Sequence, residues 1–294
     1  MLSFKKIGLE DVPALRAYFQ AYPARQCDRA LGSTVMWRDY FDNKYAVFDG
    51  TLILSANYKN SICFNYPIGR NIDAALNAIE DYCRQKDIPM VLCSVNAKEL
   101  PKVLEKYPES QVDADRDWFD YLYDKDAILS LRGRKYNTPR NHINKFKKTY
   151  ENYSFEAIVQ SNIPEIIAFT DSFKFHADKD ESALQELKMC VEVLENYELY
   201  GLLGGALRVD GRIIGYSIGE IIGDTLFCHI EKADFSYNGA YQMLTNQFLK
   251  MYAQGDEVKF VNRKEDCGDP GLRKSKLSYN PVELLEKNTV TINL

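Results

Sequence analysis

The sequence predicts an α/β (α+β) fold built from two tandem copies of one unit, each a mixed central sheet flanked by helices. Three observations carry that expectation. Residues 3–19, SFKKIGLEDVPALRAYF, lie over residues 154–170, SFEAIVQSNIPEIIAFT, without a gap, and Ser, Phe, Ile, Pro and Ala coincide. The hydrophobic patterns that follow each segment come in the same order. Charge divides the chain as well: residues 1–126 sum to -3, residues 127–150 to +7 and residues 151–294 to -9, so one basic block stands between two acidic halves.

Each element has a local reason. Each copy opens with a short strand, then an Asx residue (Asp11, Asn162) that predicts an N-cap. Pro13 or Pro164 follows in the first helical turn, where a missing N–H costs nothing. YAVFDGTLILSANY and ALRVDGRIIGYSIGEII both read strand, Asp-Gly, strand, the pattern of a two-residue type I′ hairpin. A further strand comes next in each, SICFNYPIG and DTLFCHIEKAD, and runs into an amphipathic helix. Ile72, Leu76, Ile79 and Cys83 mark the apolar face of the first helix, and Tyr241, Leu244, Phe248 and Met251 that of the second. Both helices give way to a strand, IPMVLCSVN and EVKFVNRKE. This is the element order of the acetyltransferase-like (GNAT) fold, which opens a gap between two central strands where an acyl carrier can lie. The expected domains are residues 1–126 and 127–294, the second beginning with the basic block.

At 294 residues, with 46% hydrophobic and 27% charged residues, the chain is long enough for two domains with their own cores. Its seven Cys are odd in number, form no Cys-x-x-Cys pair and sit mostly in apolar runs, so reduced thiols in a cytoplasmic protein are expected. Glu10 and Asp11 arrive before any apolar run, which predicts no signal peptide, and no stretch approaches the roughly 18 apolar residues of a membrane span. His142, His176 and His229 share no ligand spacing with one another or with Cys, so no metal centre is predicted. Neither a Walker loop nor a G-x-G-x-x-G occurs, so no nucleotide cofactor held in the usual way is expected.

Three segments carry candidate chemistry. In TLFCHIEKADFSYNGAY, simple strand alternation puts His229 and Glu231 on one face, near enough for a proton relay, and Cys228, Ile230 and Lys232 on the other. A surface pair or a satisfied core histidine would look the same. In VNRKEDCGDPGLRKSKLSYNP, the chain leaves a strand through Asn262, Arg263, Lys264, Glu265 and Asp266 and re-enters regular structure with Arg273, Lys274 and Lys276. A polar loop at a strand's carboxyl end is where α/β folds place binding groups, although a solvated, self-neutralising loop fits too. Cys267 is a poor nucleophile candidate, with no His nearby in sequence. In LRGRKYNTPRNHINKFKK, Thr138 and Pro139 predict a helix start, with Ile143, Phe146 and Tyr150 on a buried stripe. Arg132, Arg134 and Lys135 precede that start, and Arg140, Asn141 and Lys145 follow it. A solvated basic face, a phosphate or polynucleotide site and an anionic-lipid contact all suit these charges.

Together STVMWRDYF, YAVFDGTLIL, FNYPIG, LRGRKYNTPRNHINKFKK, HIEKAD with NGAY, and NRKEDCGDPGLRKSKLSYNP span nearly the whole chain. The combination resembles the uncharacterised bacterial proteins grouped with the C-terminal catalytic domain of phosphatidylglycerol lysyltransferase. That resemblance implies a tandem GNAT-like fold related to the Fem peptidyltransferases, which move an amino acid from aminoacyl-tRNA to an amine or hydroxyl. FNYPIG lacks the charged residues of HIEKAD, so the first copy is expected to be mostly scaffold and the second to hold the reacting centre. Glu231, with His229, would act as base, and Lys232 or Lys276 would stabilise charge or bind the acceptor. Glu265 and Asp266 would bind the donor's amino group; Arg134, Lys135, Arg140, Asn141 and Lys145 would hold tRNA phosphates; and Tyr241, Asn262, Arg263 and Arg273 would complete substrate binding. Of the coenzyme A pyrophosphate motif of ordinary acetyltransferases, only Gly239 is matched. An acyl-coenzyme A donor, and a non-catalytic RNA- or headgroup-binding protein on the same fold, are the rival expectations.

Overall fold

The structure, a computed structural model of the whole chain, describes residues 2–58, 61–173 and 181–294; His176 lies outside them. In chain order the first elements are β1 Lys5–Lys6, α1 Val12–Ala21, α2 Leu31–Thr34, β2 Lys44–Phe48, β3 Thr51–Tyr58, β4 Ser61–Asn65, α3 Ile72–Lys86, β5 Met90–Val95, α4 Leu100–Lys106, β6 Gln111–Asp113 and β7 Asp120–Asp124. Then come α5 Lys125–Ser130, α6 Asn137–Thr149, β8 Tyr153–Ala157, α7 Ile163–Ser172, α8 Glu181–Glu195, α9 Tyr197–Tyr200, β9 Leu203–Val209, β10 Arg212–Ile222 and β11 Thr225–Ala233. The last are α10 Ala240–Tyr252, β12 Phe260–Asn262, α11 Pro270–Leu277, β13 Glu283–Leu285 and β14 Asn288–Ile292.

These form two compact units, each with a seven-stranded mixed sheet. Unit 1 comprises Met1–Asp120, Glu265–Gly268 and Leu284–Leu294, with sheet order β1-β2-β3-β4-β5-β14-β6. Unit 2 comprises Tyr121–Lys264 and Asp269–Glu283, with sheet order β13-β7-β12-β11-β10-β9-β8. Against an expected cut at 126/127, the chain first crosses at Asp120/Tyr121 and later returns twice to unit 1. The returning strand β14 inserts between β5 and β6, pairing antiparallel with both. No hydrophobic pattern announces such an exchange, because a strand's partners are not written in its own residues.

The repeat is real at the level of backbone geometry. Asp49 and Gly50 have φ of 48° and 71°, and Asp210 and Gly211 have 49° and 79°, the two positive values that a type I′ hairpin turn requires. Phe48 pairs with Thr51 and Val209 with Arg212 across these turns. The Asx residues work otherwise than expected, and alike in both copies. Asp11 Oδ2 accepts from the Gly8 N–H at 2.9 Å and Asn162 Oδ1 from the Val159 N–H at 2.9 Å, so each fastens the chain three residues upstream and neither caps forward.

In each unit the strand before the long helix runs parallel to the strand after it, but only briefly. Phe64 and Asn65 of β4 face Leu92 and Cys93 of β5, and Thr225, Leu226 and Phe227 of β11 face Phe260, Val261 and Asn262 of β12. Beyond Asn262, β12 ends while β11 continues from Cys228 to Ala233. This divergence is the gap expected of a GNAT-like unit. Helix α3 buries Leu76, Ile79 and Cys83 as predicted, together with Ala75, while Ile72 is only half-buried. Helix α10 is rotated from its predicted face: Met251 is exposed, and Met243, Leu244, Thr245, Phe248 and Leu249 are buried.

Candidate functional site

The divergent end of β11 in unit 2 carries a buried polar constellation. Glu231 places Oε2 3.1 Å from Arg263 Nε and 2.8 Å from Nη2, and Oε1 2.6 Å from Thr245 Oγ1. Arg263 follows β12, Thr245 lies on α10, and Glu231 lies on the part of β11 that outruns β12, so three elements converge on one carboxylate. The guanidinium lies 4.9 Å from the Tyr279 ring centroid, over its face, with its Nη1 buried and without a hydrogen-bond acceptor among the described residues. Burial works against the Arg263 charge, but Glu231, then Tyr279 and Tyr123, more than offset it and hold the group cationic. Burial pushes the Tyr279 hydroxyl up to about 12 and the Cys228 thiol well above its ordinary value, so neither ionises near neutral pH. Lys276 is buried and donates to the Arg263 carbonyl at 2.6 Å, with its ammonium 5.7 Å from the Tyr121 ring centroid. Asn262 turns inward to accept the Lys264 N–H at 2.7 Å, which stabilises the positive φ of 58° at Lys264 just after β12.

His229 does not join this group. Strands β10 and β11 pair Ser217 with Glu231 and Ile218 with Ile230, but Gly219 then pairs with Cys228, leaving His229 as the extra residue of a β-bulge. The bulge resets the alternation from which one shared face was inferred. Gly219 faces α10, since a Cβ there would lie 3.1 Å from the Phe248 ring; Glu220 therefore faces away, and His229 Nε2 meets Glu220 Oε1 at 2.8 Å. The His229–Glu231 relay is thus replaced by two separate pairs. Lys232 also turns from α10, reaching Glu186 Oε2 on α8 at 2.5 Å; burial alone would lower its pKa, and Glu186 more than reverses that.

The basic block forms the expected helix with Ile143 and Phe146 buried and Tyr150, just past its end, half-buried, but the helix starts at Asn137 behind a short 3-10 turn, Arg134–Tyr136, so Thr138 is inside it and is not its N-cap. Its cations divide in two. Arg140 is committed to structure, donating to the carbonyls of Leu131 at 2.6 Å and Gly133 at 3.1 Å and bonding Asn137 Oδ1. Lys135 lies 5.1 Å from the Tyr136 ring centroid, and its carbonyl accepts from Asn280 Nδ2 at 2.8 Å. Asn141 and Lys145, with Thr138, His142 and Asn238, line a cavity of about 290 Å³. Gly239, the residue before α10, closes against this helix: its φ is 85°, and a Cβ would come 2.6 Å from the His142 carbonyl oxygen. The Asn238 N–H donates to the Tyr150 hydroxyl at 3.2 Å, and the Tyr241 ring lies 5.0 Å from that of Phe235, an exposed ring, tilted by 39°. Burial, then the neighbouring Lys147, lowers the Lys250 pKa.

Glu265 and Asp266 belong to a different group, in unit 1. Lys287 Nζ is buried and lies 2.7 Å from Asp28 Oδ2, 2.8 Å from Asp120 Oδ1, 3.7 Å from Glu265 Oε2 and 3.2 Å from Cys27 Sγ. The Cys27 N–H donates to Asp120 Oδ2 at 2.7 Å and Ser94 Oγ to Asp28 Oδ1 at 2.7 Å. Burial raises Asp120 against the pull of Lys287, and also raises the Cys27 thiol; burial opposes the Lys287 charge, but Asp120 and Asp28 hold it protonated. Cys27, Asp28 and Asp120 have the mutual spacing of metal ligands, and the ammonium of Lys287 already stands among them. Asp266 is fully buried and pairs with Arg116 at 3.4 Å. Sequence reading missed Cys27, Asp28, Asp120, Lys287, Thr245 and Tyr279. Only Lys287, an isolated cation entering an apolar strand, left a signal.

No helix among the described residues is long and apolar enough to cross a membrane. A protein of unknown function from Bacteroides thetaiotaomicron shares 30% of its sequence, with full coverage of both chains and a TM-score of 0.93. The C-terminal domain of a putative lysylphosphatidylglycerol synthetase from Agrobacterium fabrum superposes with a TM-score of 0.69 at 14% identity, covering 97% of this chain and 92% of that one. An uncharacterised protein of Mycoplasmoides gallisepticum is 27% identical over 179 residues, 59% of this chain, and the match spans 56% of that relative's length. The model of the phosphatidylglycerol lysyltransferase C-terminal family matches residues 19–290, and the chain belongs to that family.

Proposed function

We propose that the protein is an acyltransferase that moves an aminoacyl group from an aminoacyl-tRNA to an amine or hydroxyl acceptor, with its reacting centre at the divergent end of β11. The observation that carries this reading is the Glu231 carboxylate, half-buried where the pairing of the two parallel strands ends and held by the buried Arg263 and Thr245. A carboxylate offers about four lone-pair positions. Arg263 and Thr245 take three through Nε, Nη2 and Oγ1, which leaves a position on Oε1 for the proton that the nucleophile must lose. In the transfer the acceptor's nitrogen or oxygen bonds to the acyl carbon, the ester C–O bond breaks, and the tRNA hydroxyl leaves with a proton. Arg263 fixes Glu231 in one rotamer, and Lys276 fixes the Arg263 backbone.

Helix α10 links this centre to the anion site. One of its faces carries Thr245; its N-terminal residues meet α6, whose Lys145 and Asn141 line the basic cavity. That cavity, beside an acid-free basic helix, suits the phosphates of the donor, with Arg134 and Lys135 at the helix approach. Family membership supports the same class of reaction, and it brings lysyl transfer to a phosphatidylglycerol-like headgroup into consideration as the acceptor half. Gly239 before α10 favours a second reading, an acyl-coenzyme A whose pyrophosphate takes the same cavity. Single-turnover transfer from a panel of charged tRNAs, compared between wild type and Glu231→Gln, tests the proposal. Transfer that is lost in the variant while tRNA binding persists supports it; transfer unchanged in the variant rejects the base assignment. Saturable coenzyme A binding with no tRNA binding would move the donor to the second reading.

A further inference from the structure

Unit 1 holds a second cavity, of about 520 Å³, which the transfer proposed above leaves unused. Tyr18 on α1 and Tyr22, the residue just past its end, form one wall; the Asp49-Gly50 turn and Arg70 with Asn71, at the entry to α3, lie opposite in the lining. Its volume lies within the range that holds small organic ligands. Arg70 is exposed and has no ion-pair or hydrogen-bond partner among the described residues. The one carboxylate in the cavity lining, Asp49, accepts Asn71 Nδ2 at 2.6 Å and makes no ion pair with Arg70 among the described residues. Asn71 in turn gives its backbone N–H to Thr51 Oγ1 at 3.1 Å, and no side chain caps the first turn of α3. Gly50 has open space where a Cβ would stand, so the floor of the cavity is not filled from the hairpin.

Two tyrosine side chains and a guanidinium without an ion-pair partner among the described residues line one space. We propose that this cavity binds a nucleotide, with its base against Tyr18 and Tyr22 and its phosphate at Arg70. Asp49 retains an acceptor oxygen for a ribose hydroxyl. Aromatic faces accept any base, whereas the phosphate contact demands an anion, so the site selects a nucleotide over a nucleoside more strongly than it selects among bases.

Calorimetry of the whole chain with adenosine 5′-monophosphate, adenosine and inorganic phosphate tests this. The expected result is saturable one-to-one binding of the monophosphate, with adenosine and phosphate each weaker. Affinity should fall by about tenfold or more in Arg70→Ala and in Tyr22→Leu. Arg70 is exposed and Tyr22 only half-buried, so both variants should keep the wild-type circular dichroism. Lys145→Ala, in the unit 2 cavity, should leave the affinity unchanged. Absence of saturable binding at about millimolar monophosphate overturns the proposal, as does phosphate binding as tightly as the monophosphate, an unaltered affinity in Arg70→Ala, or a loss seen only in Lys145→Ala.

Discussion

Replacing Lys287 with Met removes the one cation from a buried group that holds Asp28, Asp120 and Glu265. The ammonium stands 2.7, 2.8 and 3.7 Å from those carboxylates, and Asp120 is wholly inaccessible. Methionine fills nearly the same volume, so the cavity term is small and the cost is electrostatic. Removing one partner of a buried ion pair typically costs about 3–5 kcal/mol, and that range applies here because the wholly buried Asp120 loses its cation, whereas Asp28 and Glu265 keep some solvent. The sign of the pH dependence follows from Asp120. Its folded pKa is already raised above the unfolded value of about 3.9, so its contribution to stability is fullest below that value and declines as pH rises through the folded one. Without Lys287 that pKa rises further, and acidification should restore stability to the variant by protonating Asp120. Lys287 is itself raised, so its own contribution is complete below about pH 10 and constant through this window. Urea unfolding of both proteins at pH 7 and pH 5, followed by circular dichroism and tyrosine fluorescence, measures the difference. The penalty should be about 3–5 kcal/mol at pH 7 and distinctly smaller at pH 5, and Asp120→Asn should recover part of it in the variant. A penalty below about 1 kcal/mol, or one equal at both pH values, would refute the electrostatic account.

Other outcomes are expected of unit 2. Glu231→Gln should keep the fold and lower single-turnover transfer about 100-fold or more, the usual scale for a lost general base. Thr245→Val should cost about 1 kcal/mol of stability, the worth of one hydrogen bond, measured by urea titration, and should lower transfer less than Glu231→Gln does. Lys145→Ala should reduce the log–log salt slope of tRNA binding by about 0.7 if it loses one single-strand phosphate. Arg140→Ala should instead lower thermal stability with little change in that slope, because its guanidinium holds the Leu131 and Gly133 carbonyls.

The duplicated architecture was legible because each of its signals is local. An Asp-Gly between two strand patterns can make only a few turns, and both copies make the one with two positive φ values. Leu76, Ile79 and Cys83 recur at helical spacing and are buried. The basic helix was legible for the same reason. What escaped was whatever depends on a partner distant in sequence. The bulge at His229 belongs to the pairing of β10 with β11, not to either strand alone, and it separates two residues that perfect alternation would have joined. Thr245 was hidden by the turn of α10 about its axis, which is set by how Phe248 and Met243 pack, and its hydroxyl is visible as a site only once Glu231 is opposite. Arg140 looked equivalent to Lys145 in the sequence, yet Arg140 Nη1 is spent on the Leu131 and Gly133 carbonyls while Lys145 lines the cavity, a division set by residues outside the helix.

The polar group around Lys287 also explains how a chain with two returns to unit 1 can specify its path. Asp120 is the last residue of unit 1 before the chain leaves it, Glu265 is the first on its return, and Lys287 follows the final re-entry at Leu284. Each crossing therefore places a charged residue in the same buried cluster, where Cys27, Asp28 and Ser94 already wait on the first segment. A hydrophobic residue at any of these points would be satisfied by many positions in a core, because apolar burial has no direction. A buried carboxylate or ammonium is tolerated in one geometry and penalised in others, so it discriminates against a strand threaded wrongly. The two polar clusters then differ in kind: in unit 1 the charges gather where the chain crosses, and in unit 2 the carboxylate at the strand divergence is the one the proposed function assigns a proton.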